Sequence, residues 1–173
     1  HALVAGAAMV NGGVLYPPRL TPTDMPVGTR VISEPTSLVL RDMMRDVVTI
    51  GTGKKANVPG YDVIGKTGSA NKPAHGGYDD DALITSFLGA FPYSDPRYAL
   101  LVMLDEPQGI PESHNLTLAG WNAAPTAAEI IARAAPLLGV RPASHKPLQA
   151  HEKMAVQAGV PTLALKAEVP HAP

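Results

Sequence analysis

The segment Val63-Ile64-Gly65-Lys66-Thr67-Gly68-Ser69-Ala70 gathers one lysine, two hydroxyls and two glycines in a short space. Its flanks read as a β-strand, on which successive side chains point to opposite faces. Thr67 and Ser69 therefore share one face and Lys66 lies on the other. Gly65 and Gly68 leave room for a second backbone or a ligand to come close. A fixed cation, two hydroxyl donors and the N–H groups of a strand edge suit an anion, either a carboxylate or a phosphate.

Three readings compete for this stretch. Gly60-Tyr61-Asp62-Val63-Ile64-Gly65-Lys66-Thr67 matches the phosphate-loop pattern G-x-x-x-x-G-K-S/T letter for letter. Leu100-Leu101-Val102-Met103-Leu104-Asp105-Glu106 resembles the apolar strand whose terminal acids hold magnesium in such nucleotide-binding proteins. A phosphate loop, however, needs a strand before its first glycine and a helix opening at Lys-Thr, so that N–H groups and the helix dipole face the phosphate. Here residues 52–59 are loop-like and 61–64 read as strand, while Asn71-Lys72-Pro73-Ala74-His75-Gly76-Gly77 opposes a helix. The second reading takes Lys-Thr-Gly as the substrate-binding strand of serine acyl-transferases that also carry S-x-x-K and S-x-N. The third is an ordinary strand ending in a glycine-rich turn. Three letters do not decide among them; the neighbouring sequence has to.

With 173 residues, 45% of them hydrophobic, the chain can bury a core as one domain. A formal net charge of -1 gives no electrostatic case for nucleic acid. The absence of cysteine excludes disulfides and zinc-thiolate sites. No apolar run approaches the roughly 20 residues of a membrane span, and no signal peptide is visible. The chain starts without methionine and inside a helical pattern, so a fragment of a longer protein is expected. The histidines at 1, 75, 114, 145, 151 and 171 lack metal-ligand spacing, and Asp79-Asp80-Asp81 beside Gly76-Gly77 reads as loop. No metal and no cofactor is expected.

The elements that must position the segment follow in order. Residues 1–13 read as a helix end, with Ala2, Leu3, Gly6, Ala7 and Val10 in a stripe and Asn11-Gly12-Gly13 as a left-handed stop. Residues 14–30 are extended and proline-rich without a pattern. Ser33 caps a second helix with Glu34 and Pro35 in its first turn. Leu40, Met43, Met44, Val47 and Val48 form its expected buried stripe, and Arg41, Asp42, Arg45 and Asp46 a solvated, charge-paired face. After the Lys-Thr-Gly strand a polar loop is expected over 71–81. A strand at 84–91 then turns through Pro92-Tyr93-Ser94-Asp95-Pro96 into another at 98–104. Strands in such close succession imply an antiparallel sheet. Residues 106–118 read as loop. A last helix over 124–138 has Ile130, Ile131, Ala134, Leu137 and Leu138 facing the core, and ends at Gly139. Residues 143–173, rich in proline and alanine, read as a disordered tail.

A family resemblance covers residues 1–142. It rests on Val-Asn-Gly-Gly-Val-Leu-Tyr-Pro-Pro (10–18), Arg-Asp-Met-Met (41–44), Val-Pro-Gly-Tyr (58–61), Gly-Lys-Thr-Gly-Ser-Ala (65–70) and Ser-Phe-Leu-Gly-Ala-Phe-Pro (86–92). Asp-Pro-Arg-Tyr-Ala-Leu-Leu-Val-Met-Leu-Asp-Glu-Pro (95–107) and Ala-Ala-Pro (123–125) follow in order. The chain resembles the C-terminal half of the transpeptidase domain of class B penicillin-binding proteins, and is most similar to the septal, cell-division branch. The resemblance implies an α+β fold of the α/β/α sandwich type, an antiparallel sheet covered by helices, present here as an incomplete penicillin-binding or serine β-lactamase-like fold.

The resemblance also implies peptidoglycan cross-linking through a serine acyl-enzyme. A D-Ala-D-Ala stem peptide would be the donor, β-lactams would trap the same serine, and cell-division proteins would be partners. It implies a place on the periplasmic face of the bacterial inner membrane, through an N-terminal anchor that this chain lacks. Lys66 would set positive potential near the catalytic serines, Thr67 and Ser69 would bind the substrate carboxylate along the Lys66-Thr67-Gly68-Ser69 edge, and the Ser69 N–H would serve the oxyanion hole. The family usually has threonine where Ser69 stands, so the hydroxyl is kept and a methyl lost. One departure is large, because S-x-x-K and S-x-N should precede Lys-Thr-Gly. Ser69-Ala70-Asn71-Lys72 and Ser113-His114-Asn115 match by letters only; the first is followed by Pro73 and the second lies on the wrong side. The nucleophile is therefore expected upstream of His1, and this chain alone is expected to be inactive; the alternative, if the full-length protein lacks S-x-x-K, is a non-catalytic interaction module.

Overall fold

The computed structural model describes residues 1–21, 26–74 and 76–143. Its centre is an antiparallel sheet of order β3-β4-β5, with β3 at Ile64–Ala74, β4 at Gly77–Phe91 and β5 at Tyr98–Asp105. Helix α1 (Ala2–Val10) and helix α2 (Glu34–Thr49) cover the face carrying Ile64, Leu88 and Ala90, while α3 (Ala123–Leu137) covers the face carrying Phe87 and Val102. This is the expected α/β/α sandwich. Two short strands, β1 (Val14–Leu15) and β2 (Thr29–Arg30), pair antiparallel in the stretch where no pattern was readable.

Local chemistry accounts for the boundaries. Gly12 and Gly13 take positive φ where α1 stops. The Ser33 hydroxyl accepts from the Thr36 N–H at 3.2 Å and starts α2, with Pro35 in its first turn. Gly65 is needed on β3 because a Cβ there would strike the Phe87 ring and sit 2.7 Å from the Leu88 carbonyl oxygen. The close approach inferred for this glycine is to the protein's own core.

Three expectations are corrected. The polar loop placed over 71–81 is mostly strand, since β3 continues to Ala74 and β4 begins at Gly77, with a register shift between Asn71 and Lys72. Pro73 is tolerated because β3 is an edge strand among the described residues. On α2 the charged stripe is not solvated: Arg45 is only 4% exposed, Arg41 donates to the Val10 carbonyl at 2.8 Å, and the Tyr93 hydroxyl donates to Asp42. Loop carbonyls facing this stripe need donors, and guanidinium groups supply them. Met43, expected inside, is 59% exposed.

On α3 the buried stripe is Ala123, Ala124, Ala127, Ile131 and Ala135, whereas Ile130 and Leu137 face outward. Of the expected stripe Ile131 is fully buried and Ala134 half-buried, but Leu138 is exposed like Ile130 and Leu137, because small residues at 123, 124, 127 and 135 let this helix lie close to the sheet. Of the expected tail, residues 144–173 lie outside the described residues. No helix among the described residues is long and apolar enough to cross a membrane.

Candidate active site

The structure resolves the competition over Lys66-Thr67-Gly68 in favour of a strand. β3 runs through residues 64–74, and no helix opens at Lys66-Thr67, so the phosphate-loop geometry is not formed. The S-x-x-K match at 69–72 also lies on this strand and not at a helix start. In the S-x-N match, Ser113 is buried in its own turn, where its hydroxyl accepts from the Ile110 N–H and has the Ile110 and Leu116 carbonyls within reach of its one proton.

β3 has a neighbour on one side only among the described residues. In an antiparallel edge strand, N–H and C=O groups of alternate residues point away from the sheet. Ser86 Oγ approaches the Gly68 carbonyl at 3.5 Å from the β4 side, whereas Lys66 Nζ donates to the Thr67 carbonyl at 2.7 Å. Gly68 therefore turns toward β4, and the backbone groups of Thr67 and Ser69 turn toward the open edge. That orientation aims the Ser69 N–H outward.

The two faces of the edge differ. Thr67 and Ser69 line a recess of about 230 Å³ with Thr52, Leu118 and Trp121. Thr52 and Thr67 share a hydroxyl–hydroxyl hydrogen bond of 2.6 Å, and Ser69 Oγ accepts from the Ala119 N–H at 3.1 Å. Trp121 is held in place by Lys55 Nζ, 4.4 Å from its ring centroid, and by the edge of His114 at 5.3 Å. On the other face Lys66 borders an open apolar recess of about 480 Å³ with Met9, Leu40, Met43, Val47 and Leu88. The sequence expectation of Lys66 opposite Thr67 and Ser69 matches this arrangement.

Residues that sequence reasoning missed hold these parts together. Asn122 Oδ1 accepts from the buried Thr85 hydroxyl at 2.8 Å and from the Ala123 N–H at 2.6 Å, while its Nδ2 donates to the Thr117 carbonyl at 2.7 Å. One amide thus ties β4, the start of α3 and the loop that reaches Ser69. Arg45 donates to the Val63 carbonyl at 2.6 Å, directly before β3, and pairs with Asp62 at 3.8 Å. Burial lowers its pKa, while the neighbouring Asp62 opposes that shift. Lys72, farther along β3, pairs with Glu106 at 2.7 Å and Asp105 at 2.9 Å, which push its pKa up to about 12.

Residues 3–132 match the family model of the penicillin binding protein transpeptidase domain. The chain belongs to that family. It is 42% identical over 146 residues, 78% of its length, to a Caulobacter vibrioides protein named "Probable peptidoglycan D,D-transpeptidase FtsI". It is 37% identical over 153 residues to stage V sporulation protein D of Bacillus subtilis, covering 81% of the chain. These alignments span 25% and 23% of the two relatives, so the chain corresponds to about a quarter of their length.

Among solved structures, the transpeptidase domain of penicillin-binding protein 3 from Burkholderia pseudomallei superposes with a TM-score of 0.71 at 33% identity. That match covers 84% of this chain and 43% of the other. Penicillin-binding protein 3 from Mycobacterium tuberculosis, complexed with ampicillin, gives 0.72 at 30% identity, covering 86% and 36%. The fold and the family expected from the sequence are both borne out by these matches.

Proposed function

We propose that the chain is the Lys-Thr-Gly half of a peptidoglycan D,D-transpeptidase of the septal type, and that its β3 edge receives the donor stem peptide. The observation that carries the proposal is the open strand edge at residues 66–69, with Thr67 and Ser69 on one face, Lys66 on the other, in a chain of this family. The donor backbone adds to β3 as a further strand. Its terminal carboxylate accepts from the Thr67 and Ser69 hydroxyls, and the Lys66 ammonium raises the local positive potential.

A serine supplied from outside this chain attacks the penultimate D-alanine carbonyl. The oxygen that becomes negative is stabilised by the Ser69 N–H, a contribution on the order of 3–4 kcal/mol for one such donor. The peptide C–N bond breaks, and D-alanine leaves carrying the proton taken from the serine. An amine on a second stem then attacks the ester and frees the serine. A β-lactam acylates the same serine as its ring C–N bond opens; the released amine stays tethered to the acyl group, and the ester persists. The apolar recess beside Lys66 supports a seat for the serine-bearing remainder of the domain, since this chain covers less than half of the matched solved chains. Division proteins as partners, and a membrane-anchored parent on the periplasmic side, follow from the same reading.

Labelling with fluorescent penicillin tests the proposal. The parent protein is expected to form a stable adduct, to lose most of its labelling rate in Lys66→Ala, and to leave the isolated 173-residue chain unlabelled. An adduct on the isolated chain, or a parent that never labels, would overturn it.

A further inference from the structure

A carboxylate only accepts hydrogen bonds, so any hydroxyl that binds it must donate its single proton outward and be satisfied from behind. Both hydroxyls on the recess face of β3 have such backing. Ser69 Oγ accepts from the Ala119 N–H at 3.1 Å, which leaves its proton free. Thr67 Oγ1 lies 2.6 Å from Thr52 Oγ1. With an anion in the recess, the direction of that bond is fixed: Thr52 donates to Thr67, and Thr67 donates to the anion.

Thr52 is exposed, and lies in the loop after α2. The site holds it in register from two sides. The Gly53 N–H donates to the Val47 carbonyl at 2.9 Å, and Gly120 approaches so closely that a Cβ there would stand 2.6 Å from the Thr52 carbonyl oxygen.

We infer that Thr52 is a positioning residue for donor binding, acting through Thr67 by fixing which way its hydroxyl proton points. The inference rests on the carboxylate-binding role proposed above for Thr67 and Ser69. A chain of hydroxyls that all donate in one direction is strengthened by polarisation, and its benefit appears only when an anionic acceptor sits at the end. A purely structural threonine would affect anionic and neutral acylating agents alike.

The test uses the full-length parent protein in three forms: unaltered, Thr52→Val and Thr52→Ser. Each is acylated by benzylpenicillin and by its methyl ester, which lacks the negative charge, and second-order acylation rates are compared. The loss of one neutral hydrogen bond predicts that Thr52→Val slows benzylpenicillin by about 3- to 10-fold. The ester rate should stay within about twofold, and Thr52→Ser should restore the benzylpenicillin rate. Equal slowing of both reagents, or no slowing of either, would overturn the inference. Failure of the unaltered parent to react with benzylpenicillin would instead overturn the proposed function, so the two failures are distinguishable.

Discussion

Arg45 offers the sharpest test of how the site is held. Its guanidinium, 4% exposed, donates to the Val63 carbonyl at 2.6 Å and to Asn57 Oδ1 at 3.2 Å, and stands 3.8 Å from Asp62. Substitution by methionine fills most of the volume but removes the charge and every donor. It leaves the Asp62 side chain, 13% exposed, without its cation, and the Val63 carbonyl without this donor at the entry to β3. Removing one partner of a buried pair costs about 3–5 kcal/mol, because the other charge remains desolvated. Hydrogen bonds to charged groups, worth roughly 1.5–3 kcal/mol each, are part of that figure and do not add to it.

Urea unfolding of the parent transpeptidase domain, followed by far-ultraviolet circular dichroism, would read the loss as a lower midpoint at unchanged slope. Adding Asp62→Asn to Arg45→Met should recover about 1–2 kcal/mol, as expected for coupled neighbours. A loss below about 1 kcal/mol in the single variant would mean that Arg45 is solvated after all, as its place in the charged stripe of α2 suggested.

Other outcomes follow from the same contacts. Asn122→Ala leaves the Thr85 hydroxyl and the Thr117 carbonyl without these partners, and should cost about 1–3 kcal/mol together with a slower penicillin acylation, measured by unfolding and by labelling rate. Ile131→Ala should cost about 2–5 kcal/mol. Ile130→Ala, 45% exposed, should stay within about 0.5 kcal/mol on the same scale. The Lys72 pKa, raised from 10.5 to about 12 by Glu106 and Asp105, contributes stability that is complete below pH 10.5 and fades as the pH rises toward 12. Lys72→Met should therefore flatten the dependence of the melting temperature on pH across that window.

Much of the architecture could be read from the chain because its signals are local. The Ser33 cap, the glycine stop at residues 12–13 and the 92–96 turn each act over a few residues, and alternation along 64–69 assigned the faces of the site strand correctly. What could not be read depends on distant partners. The burial of Arg45 is set by carbonyls of loops that meet α2 only in the folded chain. The alanine stripe of α3 reflects how near that helix lies to the sheet, which no hydrophobicity pattern encodes. The pairing of residues 14–15 with 29–30, the Thr52–Thr67 bond and the reach of Asn122 across 37 residues to Thr85 are likewise long-range facts.

A crystal structure of the parent protein acylated by a β-lactam would examine the proposed anion-binding edge at atomic level. The expected adduct has its carboxylate within hydrogen-bond distance of the Thr67 and Ser69 hydroxyls, its acyl carbonyl oxygen on the Ser69 N–H, and Lys66 on the nucleophile's side. An adduct whose carboxylate and carbonyl both lie away from residues 66–69 would contradict the proposal that this strand edge binds and activates the substrate.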